Sequence, residues 1–299
     1  MTQAAVHPPQ SAVDAAVELA LAEDLLPLGD LSAALVDPLV IANLVIRSRE
    51  DGVLAGRRCA EAAFMRASAA LEVNFYLDDG DAVGEDTVVA TIRGPLAAIL
   101  PVERTALNFL SHLSGIARST AKYVAAARKV NESTRILDTR KTLPGLRALQ
   151  KAAVRAGGGT NHRANLSDAV MLKDNHLGAL SISAAVAEAK HRWPGRMVEV
   201  ECDRLEQAIE AVDARATAVL LDNMDVKAVT EAVKAIRQRP WGSSVLIEVS
   251  GRVSLERVGE YAKAGVDLIS VGALTHSVRV HDFGLDFEID GANARPVGD

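Results

Sequence analysis

Beyond Thr134 the chain alternates short apolar runs with amphipathic stretches, each run starting about 20 to 35 residues after the last. The runs are 135–139 (RILDT), 169–173 (AVMLK), 198–202 (VEVEC), 218–222 (AVLLD), 245–250 (VLIEVS) and 268–272 (LISVG). Their length and β-branched content predict strands, and the intervals have the length of crossover helices. In the first interval Leu146, Leu149 and Ala153 form one stripe, while Arg147, Lys151 and Arg155 recur every four residues on another. Six strands returned by helices predict a parallel sheet, either closed toward a barrel or doubly wound.

Ahead of this region the texture differs. Residues 1–10 carry two prolines and little periodicity, which predicts a loose arm. Ser11 is predicted to open a helix, with Val13, Ala16, Val17, Ala20 and Leu21 on its apolar side. Alternating runs at 43–49, 71–77 and 87–93 predict strands, punctuated by DDGD at 78–81 and by Gly94-Pro95. From Pro101 to about Val130 the composition is helical, and Ser114-Gly115 is predicted to break that helix in two.

The polar residues of the six later runs sit at their exits. Asp138, Arg140 and Lys141, then Lys173, Glu201, Asp222, Glu248 with Ser250, and Gly272 all lie at or just past a C-terminal end. In a β/α barrel that edge carries the active site, whereas in a doubly wound sheet only strands at the switch point contribute. Polar ends on nearly every run therefore favour the barrel.

Composition narrows the chemistry. The chain has 299 residues, is 49% hydrophobic and 24% charged, and carries a net charge of −6, so a general nucleic-acid binder is not expected. No apolar run is long enough to span a bilayer and the first residues lack a signal-peptide pattern, so the expected location is cytoplasmic, away from membranes. Cys59 and Cys202, the two cysteines, are too few for a disulfide framework and are expected to be small buried side chains.

Against this acidic background the segment from Asp138 to His176 packs seven Lys and Arg side chains and two histidines. Arg140 with Lys141, His162 with Arg163, and Lys173 followed by Asp174, Asn175 and His176 fall at loop mouths. Guanidinium forks match carboxylate or phosphate oxygens two at a time and ammonium groups add point charge, so the cluster points to a small polyanion. Glu201 and Asp222 can hold Mg²⁺ through water or bind ribose hydroxyls. Ser250-Gly251 and Val271-Gly272-Ala273 can bring backbone N–H groups close to a phosphate. Gly157-Gly158-Gly159-Thr160 reads as a helix stop more readily than as an anion loop. Walker A, strand-linked GxGxxG, serine-hydrolase and zinc-protease signatures are all absent from the sequence.

The ordered set ERTALNFLSHLSGIA, DTRKTLPGLRALQKAAVRAGGGTNHR, VMLKDNH, VEVECD, LLDNM and VGALTHSV closely resembles the quinolinate phosphoribosyltransferase family, also called nicotinate-nucleotide pyrophosphorylase (carboxylating). The likeness covers most of the chain and is weakest over 1–20 and 285–299. It implies an α/β fold: an N-terminal α/β sandwich over 1–115, joined by 279–299, and an incomplete β/α barrel of about six parallel strands over 116–278. It further implies transfer of phosphoribosyl from phosphoribosyl pyrophosphate to quinolinate with decarboxylation, giving nicotinate mononucleotide, pyrophosphate and CO₂ in NAD biosynthesis, with Mg²⁺ as cofactor. By resemblance Thr139, Arg140, His162 and Arg163 hold quinolinate, joined by Arg104 from the neighbouring subunit of a homodimer. Lys141 and Lys173 meet phosphate and pyrophosphate oxygens, Glu201 and Asp222 orient ribose and hydrated Mg²⁺, and Ser250, Gly251, Arg252, Val271, Gly272, Ala273 and His276 surround the 5′-phosphate. Where the family has Ser-Ser-Gly-Gly, this chain has Val249-Ser250-Gly251-Arg252. Rival readings are a related phosphoribosyltransferase acting on nicotinate or another pyridine, a Schiff-base aldolase built on Lys173, and a non-catalytic anion-binding barrel.

Overall fold

The computed structural model describes residues 6–178 and 180–287, apart from the side chains of His176 and Leu177. The C-terminal tail beyond 287 and residues 1–5 of the arm lie outside that description. The chain divides into two compact units, one gathering Met1–Ala121, Thr142–Gly158 and Thr275–Asp299, the other Lys122–Lys141 and Gly159–Leu274.

In the second unit six strands form one parallel sheet: Arg135–Leu137, Val170–Leu172, Val198–Cys202, Ala218–Asp222, Leu246–Ser250 and Leu268–Ser270. Numbered along the chain, they lie in the order 1-6-5-4-3-2, so the second to sixth pair in sequence order and the sixth also pairs with the first through Leu268↔Arg135 and Ser270↔Leu137. That order is an incomplete barrel of six strands, left open between the first and second. Each of the six strands falls within its predicted run.

Helices Ile182–Arg192, Leu205–Asp213, Val226–Arg237 and Val258–Lys263 make the returns. Ser181 and Asp225 cap two of them, accepting the backbone N–H groups of Ala184 and Ala228 at 3.2 and 2.8 Å, which satisfies donors the first helical turn leaves unpaired. Val229, Ala232, Val233 and Ile236 recur at helical spacing and are buried. The strands bury Val198, Val200, Val219, Leu221, Ile247 and Val249 on alternate positions. Cys202 joins this layer, and Cys59 is buried in the first unit; loss of solvent pushes both thiols up to about 12, so neither is a reactive thiolate.

The first unit holds a four-stranded antiparallel sheet in the order Phe283–Phe287, Ile41–Ser48, Val88–Pro95, Glu72–Phe75. The strand Phe283–Phe287 comes from the far end of the chain. Helices Gln10–Leu25, Arg57–Ala67 and Arg147–Ala156 belong to this unit, and the long helix Leu96–Arg128 contributes residues to both units.

Several expectations are corrected here. The arm is not loose over residues 6–9: the side chain of His7 lies 3.2 Å from Asp78 and 3.4 Å from Asp79, and Arg155 donates to the carbonyls of Val6 and His7 at 3.2 and 3.0 Å. The hydrogen bond to Asp79 raises the His7 pKa, favouring the charged form that both carboxylates attract. Gln10, not Ser11, opens the first helix, and Pro9 at its cap position makes no side-chain bond. Leu96–Arg128 is continuous through Ser114-Gly115, and it begins five residues before Pro101. Gly115 serves close approach: a Cβ there would sit 2.4 Å from the carbonyl oxygen of Arg279. In the helix Arg147–Ala156, Lys151 is 4% exposed and Gln150 is buried, with its amide Nε2 2.8 Å from Nε2 of His112.

The glycine run 157–159 starts as a helix stop. Gly157 N–H bonds back to the Ala153 carbonyl at 3.0 Å, and Gly158 takes a left-handed φ of 81°. A Cβ at Gly157 would meet the Ala117 carbonyl oxygen at 2.3 Å and Thr120 Cβ at 2.6 Å. Gly157→Ala is therefore expected to destabilise the protein by about 2 kcal/mol through overpacking against backbone, read as a lower thermal midpoint by calorimetry.

Candidate functional site

The inward positions of the barrel strands alternate with the buried apolar ones. Met171 and Lys173, Glu199 and Glu201, Leu220 and Asp222, and Glu248 and Ser250 are pairs spaced by two, so each pair projects from one face of its strand. Within these pairs the residue nearer the C-terminal end stands at the rim and the other beneath it. A cavity of about 390 Å³ opens at this end.

Thr139, Arg140 and Lys141 line it from the turn after the first strand, and His162 and Arg163 from the loop before the second. Lys173, Glu201, Asp222 and Ser250 complete the rim at the next four strand ends, with Met171, Leu220, Glu248 and Ser270 also lining the cavity. Nine expected site residues thus meet around one opening. Gly251, Arg252, Val271, Gly272 and Ala273 are not in the lining; they follow the fifth and sixth strands in the chain, and Val271 is buried. His276, whose Nδ1 lies 2.7 Å from Ser277 Oγ, and Arg104 belong to the first unit. There Arg104 lines a different cavity of about 650 Å³ with Asn108, His112 and Arg279.

Asp138 fixes the cationic loop. It is fully buried, and its carboxylate accepts Asn161 Nδ2 at 2.6 Å and the His162 backbone N–H at 2.9 Å. Next in the chain, Arg163 donates from Nη1 to the Ala169 carbonyl at 3.0 Å and from Nη2 to Met171 Sδ at 3.5 Å. Burial lowers the Arg163 pKa, and the nearby Arg140 charge lowers it further, as expected where two cations are held for an anion. Lys173 pairs with Glu201 on the rim. Asp222 accepts Asn223 Nδ2 at 2.6 Å. Asn223 has a φ of 55°, and its backbone N–H reaches the Ser250 carbonyl at 3.1 Å. Gly251 permits this approach: its φ is 89°, and a Cβ there would lie 2.3 Å from Asn223 Oδ1.

Beneath the rim lies Glu199, which the sequence pattern did not single out, beside Glu248, which was expected at the exit of the fifth strand. Glu199 and Glu248 are each 1% exposed and both approach Nε2 of the His162 ring, Glu199 Oε2 at 3.0 Å and Glu248 Oε2 at 3.6 Å. Ser270 Oγ donates to the other oxygen of Glu248. Burial holds the Glu248 pKa well above the carboxylate range, and the charge of Glu199 pushes it higher, so Glu248 keeps its proton. The available signal was the i, i+2 repeat in VEVEC and IEVS: once Glu201 and Ser250 face inward, Glu199 and Glu248 must too.

Among the described residues, two sets of three side chains bring metal-ligand atoms within 4.8 Å of one another, His7 with Asp78 and Asp79, and His162 with Glu199 and Glu248. Neither includes Glu201 or Asp222. Those two offer hard carboxylate oxygens at neighbouring strand ends, a donor chemistry that suits a hydrated Mg²⁺ held by few direct protein bonds.

Residues 116–286 match the model of the quinolinate phosphoribosyl transferase C-terminal domain, and 30–114 match that of its N-terminal domain. A probable nicotinate-nucleotide pyrophosphorylase [carboxylating] of Archaeoglobus fulgidus is 40% identical over 260 residues, covering 87% of this chain and 98% of its own. The nicotinate-nucleotide pyrophosphorylase [carboxylating] of Mycobacterium leprae is 42% identical over 244 residues, covering 80% of this chain and 84% of its own. The solved nicotinate-nucleotide pyrophosphorylase of Francisella tularensis superposes with a TM-score of 0.88 at 35% identity, covering 94% and 98% of the two chains. No helix among the described residues is long and apolar enough to cross a membrane.

The raised Glu248 pKa carries a sign for stability. The folded chain retains a proton that the unfolded carboxyl releases, so this group's contribution is full below the ordinary carboxylate pKa and is lost as pH rises toward the folded value. Glu248→Gln removes that loss. Urea unfolding from about pH 4 to pH 8 is expected to show the variant gaining on the parent as pH increases.

Proposed function

Because this chain belongs to the quinolinate phosphoribosyl transferase family, we propose that its barrel mouth transfers phosphoribosyl from phosphoribosyl pyrophosphate to the ring nitrogen of quinolinate. Pyrophosphate and carbon dioxide leave, and nicotinate mononucleotide is supplied to NAD synthesis by a cytoplasmic enzyme. The observation that carries the reading is the meeting of Arg140, Lys141, Arg163 and Lys173 with Glu201 and Asp222 around one cavity.

In this reading Arg140 and Arg163, with Thr139, take the two quinolinate carboxylates, because planar guanidinium forks satisfy carboxylate oxygens in pairs. Lys141 and Lys173 meet phosphate and pyrophosphate oxygens, and Lys173 exchanges part of its pairing with Glu201 for them. Ser250 and the N–H groups of the turns at Gly251-Arg252 and Val271-Gly272-Ala273 receive the 5′-phosphate. As the bond from ribose C1 to pyrophosphate breaks, C1 becomes electron-poor. Glu201 and Asp222 stabilise that charge while the pyridine nitrogen attacks. The nitrogen is now positively charged, so the electrons of the C2–carboxylate bond can pass to C2 as CO₂ departs, and a solvent proton completes the ring. Glu201 and Asp222 would hold Mg²⁺ through water, and the ion when bound offsets charge on the pyrophosphate.

We also propose a homodimer in which Arg104 serves the mouth of a second copy. This accounts for a family-matched arginine lying in the first unit, apart from the quinolinate set.

Purified protein given quinolinate, phosphoribosyl pyrophosphate and Mg²⁺ is expected to form nicotinate mononucleotide, and to stop when the metal is chelated. Nicotinate in place of quinolinate is expected to be a poor substrate; preference for nicotinate would refute the dicarboxylate reading. Arg163→Ala and Lys141→Ala should each lower kcat/KM by about 100-fold or more, the scale of a lost charged substrate contact. Mixing inactive Arg104→Ala with inactive Lys141→Ala subunits should restore about a quarter of parent activity, since half the dimers are mixed and each has one intact site. Failure to restore activity after verified subunit exchange would remove the shared-site proposal.

A further inference from the structure

We infer that Glu199 and Glu248 are positioning residues: they clamp the His162 ring, with its single N–H proton at Nε2 facing the barrel floor, and through it set the backbone that presents Arg163. The inference rests on the reading above only in taking Arg163 as a quinolinate contact.

The tautomer follows from the partners. His162 Nδ1 accepts the backbone N–H of Arg163 at 2.7 Å, so that nitrogen carries a lone pair and no proton. The proton is then on Nε2, directed at Glu199 Oε2 at 3.0 Å. An imidazolium would set a second N–H against the Arg163 amide, donor facing donor. Both ring nitrogens of His162 are engaged within the protein. This differs from the direct carboxylate grip that family resemblance implies.

The clamp is mechanically continuous with the substrate side. Asp138 holds the His162 backbone N–H at 2.9 Å, the ring holds the Arg163 backbone N–H, and the Arg163 guanidinium is aimed by Ala169 and Met171. Glu199 is the acceptor for the ring. Glu248 lies beside it, braced by Ser270, and its raised pKa lets it stay neutral next to the Glu199 carboxylate. Two buried carboxylates side by side without a proton would repel strongly, and a protonated neighbour relieves this while supplying a donor. The pair is thus a fixed base for the loop 161–163, orienting a group that touches substrate as outer-shell partners orient ligating side chains.

Glu199→Ala is expected to raise the quinolinate KM about tenfold, the effect of losing one oriented hydrogen bond, with the KM for phosphoribosyl pyrophosphate changed by less than about twofold. Glu248→Gln, which keeps the neutral shape, is expected to stay within about threefold of the parent for both substrates. A folded Glu199→Ala protein with parental quinolinate KM, or with both KM values raised equally, overturns the inference.

Because Glu199→Ala could fail to fold, the parent protein is tested as well. Nitrogen NMR of ¹⁵N-histidine-labelled protein, with the His162 signals identified by their loss in His162→Gln, should show a neutral ring protonated at Nε2. The pattern should be the same with and without quinolinate. An imidazolium, an Nδ1–H tautomer, a metal-bound Nε2 or a switch of tautomer on adding quinolinate refutes it. The free-protein spectrum does not depend on which pyridine is turned over, so failure of the quinolinate reading and failure of the clamp are told apart.

Discussion

Alternation along a parallel strand is the constraint on which this protein is built. A strand directs successive side chains to opposite sides, so five residues can serve the packed layer under the helices and the lining of the mouth at once. In Val198–Cys202 the buried valines and Cys202 take one side, and Glu199 and Glu201 the other. Shifting that strand by one residue would drive two carboxylates into the apolar layer and present valine to the substrate. The burial of Val200 and the chemistry of Glu201 are therefore one requirement, and the same holds for Val249 and Ser250.

The cations need a second support, because Arg163 sits partly out of water and is repelled by the nearby Arg140 charge. Buried acids at two depths meet that need. Asp138 binds the loop by its backbone, and the Glu199–Glu248 pair lies below, while the pairing of Lys173 with Glu201 acts at the rim. Preorganisation of this kind keeps charged groups aimed before substrate arrives, so less reorientation is required during reaction.

Much of the fold was legible in the chain. The six barrel strands could be found from apolar runs and their spacing, and the rim could be found from polar residues at their exits. The misreadings share a cause: they concern residues whose role is set by a distant partner. Gly115 looked like a helix breaker, yet it is small because the backbone at Arg279 passes 2.4 Å from where a Cβ would be. Lys151 looked like part of a polar stripe and is buried, and the prolines near His7 concealed an arm held by Asp78, Asp79 and Arg155. Glu199 went unremarked because a single carboxylate inside an apolar run shows its meaning only when Glu248 is brought across from the fifth strand.

The edge strand Phe283–Phe287 has a consequence for how the molecule is made. It pairs along Ile41–Ser48, more than two hundred residues upstream, while all six barrel strands lie between them. A ribosome delivers the barrel's full complement of strands before it delivers the piece that finishes the earlier sheet. The portion translated first is thus obliged to wait, its Ile41–Ser48 edge open to the wrong neighbour, until the segment through Phe287 has emerged.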